Sequence, residues 1–188
     1  MIDRANGKRL LLLARKTIKS VFDKRNLPSS EIKQDKRGVF VTLTIQGRLR
    51  GCIGFPEPVY ELDKAVILAS KAAAFEDPRF PPLKPQELDK IVIEISVLTL
   101  PELISVEDPA EYLKKINIGE DGLILRARRG QGLLLPQVAK EYNWSVQQLL
   151  ENLCLKAGLN IDSWKSADVK IYKFQAQIFR EDVIKVPK

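Results

Sequence analysis

Apolar and polar positions along this chain change period several times. From about Arg4 to Lys24, Leu10, Leu11, Ala14, Ile18, Val21 and Phe22 recur at three- and four-residue intervals, the stripe of an amphipathic helix. Arg9, Arg15, Lys16 and Lys19 lie mainly off that stripe and are expected on a wet surface. The period then drops to two over residues 39–53, which read as a hairpin. A second helix is expected from about Val59 to Phe75, with Leu62, Ala65, Val66, Ala69 and Ala73 inward. Prolines 78, 81, 82 and 85 exclude a regular helix or central strand from Asp77 to Pro85. Ile91–Leu98 alternates cleanly, with Ile91, Ile93, Ile95 and Val97 on one face and Glu94 and Ser96 on the other. A last strand is expected over about Val169–Phe179, and its change of apolar parity suggests a bulge.

The stretch between reads as a lobe. A short helix near Pro109–Ile116 leads to strands at Leu123–Arg128 and Leu133–Leu135 about a Gly130-Gln131-Gly132 turn, and two helices follow. Ser145 and Gln148 have capping-box spacing, Trp144 and Leu149 form a hydrophobic staple, and Gly158 is the stop. Leu149, Leu150, Leu153 and Cys154 make the buried stripe, so Cys154 is expected to pack. Helix, hairpin, helix, strand, mixed lobe and returning strand indicate an α+β fold with antiparallel sheets.

The hairpin has two candidate registers. A three-residue loop Ile45-Gln46-Gly47 sets Thr44 opposite Arg48, Leu43 opposite Leu49, Val41 opposite Gly51 and Phe40 opposite Cys52. Val39, Val41, Leu43, Leu49, Gly51 and Ile53 then share a core face. A two-residue Gln46-Gly47 turn instead places Arg48 and Arg50 among the valines, a costly slip where one face is buried. The bulged register is therefore expected, with Thr42, Thr44, Arg48, Arg50 and Cys52 on the opposite face. A cation near a thiol favours its nucleophilic form, which makes Arg50 and Cys52 candidate catalytic residues. A cysteine in a strand also packs well, and that alternative stays open.

Composition narrows the chemistry. The chain has 188 residues, two cysteines and no histidine, so the usual general base, the usual zinc ligand and every histidine relay are missing. No metal site is expected. Two separated cysteines give no disulfide framework and fit a cytoplasmic location. No apolar run can span a bilayer, and Arg15-Lys16 interrupts the leucines near the N-terminus too early for a secretion signal. Residues 1–50 hold thirteen Lys/Arg against four Asp/Glu, a balance of +9, whereas the remainder carries −2. That asymmetry suits nucleic acid, and it equally suits a solvated helix face.

The hexapeptide Leu49-Arg50-Gly51-Cys52-Ile53-Gly54 resembles the signature of the AMMECR domain family, named after a human chromosomal region linked to Alport syndrome, midface hypoplasia and elliptocytosis. Ala74–Leu83 resembles the same family, as do Leu135–Ala139, Trp144 and Lys156–Leu159 in the same order. The resemblance spans nearly the whole chain. It implies a larger domain built from both chain ends, with an antiparallel sheet and flanking helices, and a smaller inserted α+β lobe. The expected boundaries are 1–100 plus 167–188 for the former and 101–166 for the latter. In prokaryotes such domains tend to occur beside Memo-type and radical-SAM proteins, which are the partners the resemblance implies. It implies no particular activity or cofactor.

Three functions compete. The first is an enzyme, or a substrate-handling component, acting on an anionic small molecule or macromolecule in an inter-domain cleft. Arg50 and Cys52 would act there, with Arg48, Asp77, Arg79 and Glu94 as binding groups. Asp77 and Arg79 sit in a stiff proline-rich loop, where binding groups often lie, although they would also pair with neighbours. Glu94, on the polar face of its strand, would pair with Arg50 or serve as a base. The others are a nucleic-acid-binding module, which is not favoured, and a protein-interaction scaffold. Arg126, Arg128 and Arg129 beside Gly130 and Gly132 resemble a phosphate loop only weakly.

Overall fold

The computed structural model describes residues 2–29 and 35–181. The chain divides into two compact units, Met1–Leu98 with Gln177–Lys188, and Thr99–Ala176. Both are α+β.

In the first unit, helix α1 (Arg4–Phe22) begins where Asp3 accepts the Asn6 N–H at 2.8 Å. It ends two residues short of the expected point, where Lys24 takes a left-handed φ of 52°. Strands β1 (Val39–Ile45) and β2 (Arg48–Phe55) form the hairpin, and α2 (Leu62–Phe75) follows. Strand β3 (Ile91–Leu98) pairs antiparallel with β1, Val41 opposite Ile95. With β8 (Ala176–Arg180) the sheet order is β2-β1-β3-β8. Leu10, Ala14 and Ile18 of α1, Ala65, Ala69, Ala73 and Ala74 of α2 and the inward residues of β1 and β3 form one core. Each stripe presents a continuous apolar face, and burial of those faces is what holds the layers together.

The hairpin register differs from the expectation. Gln46 and Gly47 both have positive φ, 51° and 76°, and make a tight two-residue turn. Ile45 then faces Arg48 and Thr44 faces Leu49, but Leu43 faces Gly51, so Arg50 is an extra residue. The bulge sits inside β2 rather than in the turn. It restores the parity, so Gly51 still faces the core and Cys52 still faces away from it. Leu49, before the bulge, is left 44% exposed rather than buried.

The second unit has its own sheet, β4-β7-β5-β6, from β4 (Glu102–Leu103), β7 (Lys170–Phe174), β5 (Gly122–Ala127) and β6 (Gly130–Leu134). Helices α3 (Tyr112–Lys115), α4 (Pro136–Glu141) and α5 (Val146–Lys156) belong to this unit. In α5, Ser145 and Gln148 cap each other, and Leu149, Leu150, Leu153 and Cys154 are buried as expected. Two expectations fail here. Gly130 and Gly132 lie in β6, and the turn is Arg128-Arg129. The returning segment is not one bulged strand: it breaks at Gln175 into β7 and β8, which belong to different sheets. The parity change therefore marks a change of sheet.

Candidate functional site

Strand β2 is an edge of its sheet, so the backbone groups along its outer side have no strand partner. Three features of the signature hexapeptide settle that edge. Gly51 lies beneath the end of α2, and a Cβ there would meet the Ala73 carbonyl oxygen at 2.0 Å. Only glycine allows that approach.

Arg50, the bulged residue, directs its guanidinium into the proline-rich loop. Nε and Nη2 donate to Glu87 at 2.8 and 3.0 Å, and Nη1 donates to the Pro81 carbonyl at 2.9 Å. Glu87 also accepts the Lys84 N–H at 2.8 Å. These bonds, those from Arg50 foremost, hold the Glu87 carboxyl below its ordinary range despite opposing burial. Glu87 went unnoticed in the sequence. Its position three residues after Lys84, across Pro85, is the spacing at which a glutamate reaches back to cap a turn.

Cys52 is held on both backbone sides. Its N–H donates to Asp77 Oδ2 at 2.8 Å, and its carbonyl accepts from Arg79 Nη2 at 2.9 Å. Asp77, only 4% exposed, also accepts from Arg79 N, Nε and Nη2 at 3.1, 3.0 and 2.8 Å. The Arg79 bonds hold the Asp77 carboxyl well below the usual carboxylate range, against the effect of burial, and the Cys52 and Arg79 backbone N–H groups add to this. The Arg79 guanidinium is pushed up in return. Its bonds to Asp77 dominate, burial opposes them, and the charge of Asp77 and then the Cys52 side chain contribute further. The pair stands where a neighbouring strand would stand.

The Cys52 thiol is half-buried and accepts a hydrogen bond from Thr42 Oγ1 at 3.3 Å. Thr42 faces Cys52 on one side and Glu94 on the other, so the three form a row across β2, β1 and β3. Glu94 finds its cation in Arg180 of β8, at 3.8 Å, rather than in Arg50. Arg48 is exposed beside the turn. The structure thus gathers Cys52, Asp77 and Arg79 at one point, ties Arg50 to Glu87, and sets Glu94 two strands away.

The expected wet cations of α1 also divide. Arg9 binds the buried Asp63 through two bonds of 2.9 and 2.7 Å. Arg15 is bonded to Glu181 and to the Leu88 and Ile91 carbonyls. Lys16 and Lys19 remain exposed. In the second unit, Arg126 lies over the Tyr172 ring, 4.7 Å from its centroid. The glycines beside it serve β6 rather than a phosphate loop. Among the described residues no helix is long and apolar enough to cross a membrane, and no group of three or more acidic or cysteine side chains could hold a metal ion.

Comparison with known proteins identifies the family and the fold. The AMMECR1 family model matches residues 11–179. The chain belongs to the AMMECR1 family. A protein of Methanothermobacter thermautotrophicus is 48% identical over 186 residues, covering 96% of this chain and 97% of that one. A Methanocaldococcus jannaschii protein is 54% identical over 153 residues, covering 80% and 76%. The crystal structure of an uncharacterised protein from Pyrococcus horikoshii is 42% identical with a TM-score of 0.88, covering 99% and 96% of the two chains. The Pyrococcus horikoshii protein thus shares the α+β fold seen here, and the names of these relatives carry no activity.

Proposed function

We propose that this AMMECR1-family protein is an enzyme or substrate-handling component that meets an anionic substrate at Cys52, with Arg79 as the fixed cation beside the thiol. The observation that supports this is the state of Arg79. Asp77 pins it through Nε and Nη2, yet its side chain is 54% exposed. A guanidinium already fixed in place can offer its open edge to a carboxylate or phosphate with little further loss of freedom. Arg50 is differently placed: paired with Glu87 as Arg79 is with Asp77, its side chain is only 13% exposed. The candidate residues all belong to the first unit. A free thiol works in a reducing compartment, which fits a cytoplasmic location.

Residue-resolved alkylation tests the thiol. In the folded protein iodoacetamide should modify Cys52 about tenfold or more faster than Cys154, which is buried in α5 and has its thiol pushed up in pKa by that burial. Equal, slow protection of both cysteines would sink the proposal and leave Cys52 as part of the edge clamp.

A further inference from the structure

The outer side of α1 carries a second feature, independent of Cys52. Residues after the helix turn back along it, with the Arg25 N–H bonding the Ser20 carbonyl at 2.9 Å. Helix and returning segment enclose a groove of about 710 Å³. Leu12, Leu13, Lys16, Lys19, Arg25 and Leu27 are among the residues that line it, and Asp23 lines it beside Arg25. Arg9 and Asp63 at one end neutralise each other. Lys16 and Lys19 have no ion pair among the described residues, and Arg25 is 78% exposed and only 4.0 Å from Asp23. Two of the apolar members are also uncovered, Leu12 being 70% exposed and Leu27 37%.

The spacing of these groups selects an occupant. A compact anion needs donors that converge, whereas Lys16 and Lys19 lie along the helix, Arg25 lies on the returning segment, and Leu12 and Leu27 line the same groove. From Arg9 to Ser20 the helix rises about 16 Å at 1.5 Å per residue, which about five residues of extended chain would span. A nucleic-acid strand would bring evenly spaced phosphates and leave Leu12 and Leu27 without apolar partners. A chain carrying carboxylates on either side of apolar side chains satisfies both sets.

We propose that this groove docks an extended acidic segment of a partner protein, its carboxylates meeting Lys16, Lys19 and Arg25 and its apolar side chains covering Leu12 and Leu27. Fluorescence anisotropy with the full chain tests it, using a labelled octapeptide of alternating Glu and Leu as probe. Peptides of alternating Glu and Ser, and of alternating Lys and Leu, serve as controls. The Glu-Leu peptide should bind about tenfold or more tighter than either control, a margin of about 1.4 kcal/mol. The double variant K16E/K19E and the single variant L12S should each remove that advantage. Both change only exposed side chains, and an unchanged thermal midpoint would show that the fold is intact. Equal binding of the Glu-Leu and Glu-Ser peptides, or binding that ignores these substitutions, would overturn the proposal. A short duplex DNA that binds more tightly than the Glu-Leu peptide and depends on Lys16 and Lys19 would also overturn it, and would give the groove to nucleic acid.

Discussion

The two units contain the same small construction, differently furnished. Each has a hairpin whose second strand is a sheet edge, and each sets a glycine of that strand beneath the end of a helix. Gly51 lies under the Ala73 carbonyl and Gly130 under the Ala157 carbonyl, where a Cβ would come within 2.0 and 2.1 Å of the oxygen. In the second unit the pairing runs without a bulge and the edge strand Gly130–Leu134 has no charged residue. In the first, a bulge interrupts the strand, Arg50 is tied to Glu87, and Asp77 with Arg79 grips the Cys52 backbone. Glycine under a helix end is evidently enough to dock an edge strand. The charges around Cys52 are extra to that task, and this is the physical ground for reading them as a site.

The largest expected effect tests the shared part. Gly51→Val and Gly130→Val should each cost about 3 kcal/mol or unfold the protein, because the contact is with backbone that cannot swing aside. Urea unfolding monitored separately in each unit checks this. An unchanged midpoint for either variant would show that the close approach does not govern docking there.

Asp77→Asn tests the part that differs. It keeps an acceptor for the Cys52 N–H but removes the charge, and should cost about 1–2 kcal/mol near neutral pH, the ionic share being reduced because half of Arg79 is in water. The pH dependence follows from the lowered Asp77 pKa. A carboxyl that titrates lower when folded contributes fully above its unfolded value of about 4, and that contribution is lost as pH falls through the folded value. The wild-type advantage over Asp77→Asn should therefore be flat from neutral pH to about 5 and shrink only below about 4. A gap that closed near pH 6 would contradict the assignment.

Part of the fold could be read from the residues before it was known, although Gly130 was not among the legible positions, having the look of a turn glycine. Strict alternation fixed β3, and the capping box with its leucine stripe located α5 and its buried Cys154. The face occupied by Cys52 was also accessible, because the buried valines of β1 tolerate only one parity. The position of the bulge was not, since moving it from the turn into β2 preserves that parity beyond Arg50 and changes only the pairing. Nor could alternation show that residues 169–179 leave one sheet for another at Gln175. Within the candidate site, Asp77 and Arg79 were suspected from their stiff loop. That Arg50 would find Glu87 depended on how the prolines turn the chain, which no periodicity records.

The smallest effect concerns α1. Replacing Lys16 and Lys19 by glutamine should alter stability by less than about 0.5 kcal/mol, as exposed substitutions usually do. Arg9→Gln or Arg15→Gln should cost more, because each abandons a carboxylate that is wholly or largely buried. Equal effects in all four would erase the distinction between anchoring and exposed cations.

The central claim is that Arg79, and not Arg50, acts on a ligand at Cys52. The ratio of Cys52 alkylation by anionic iodoacetate to that by neutral iodoacetamide tests it directly. Arg79→Gln should lower this ratio about threefold or more by removing the local cation, while Arg50→Gln, which breaks the Glu87 tie on the same strand, should leave it nearly unchanged. Equal changes in the two variants, or a larger one in Arg50→Gln, would contradict the account.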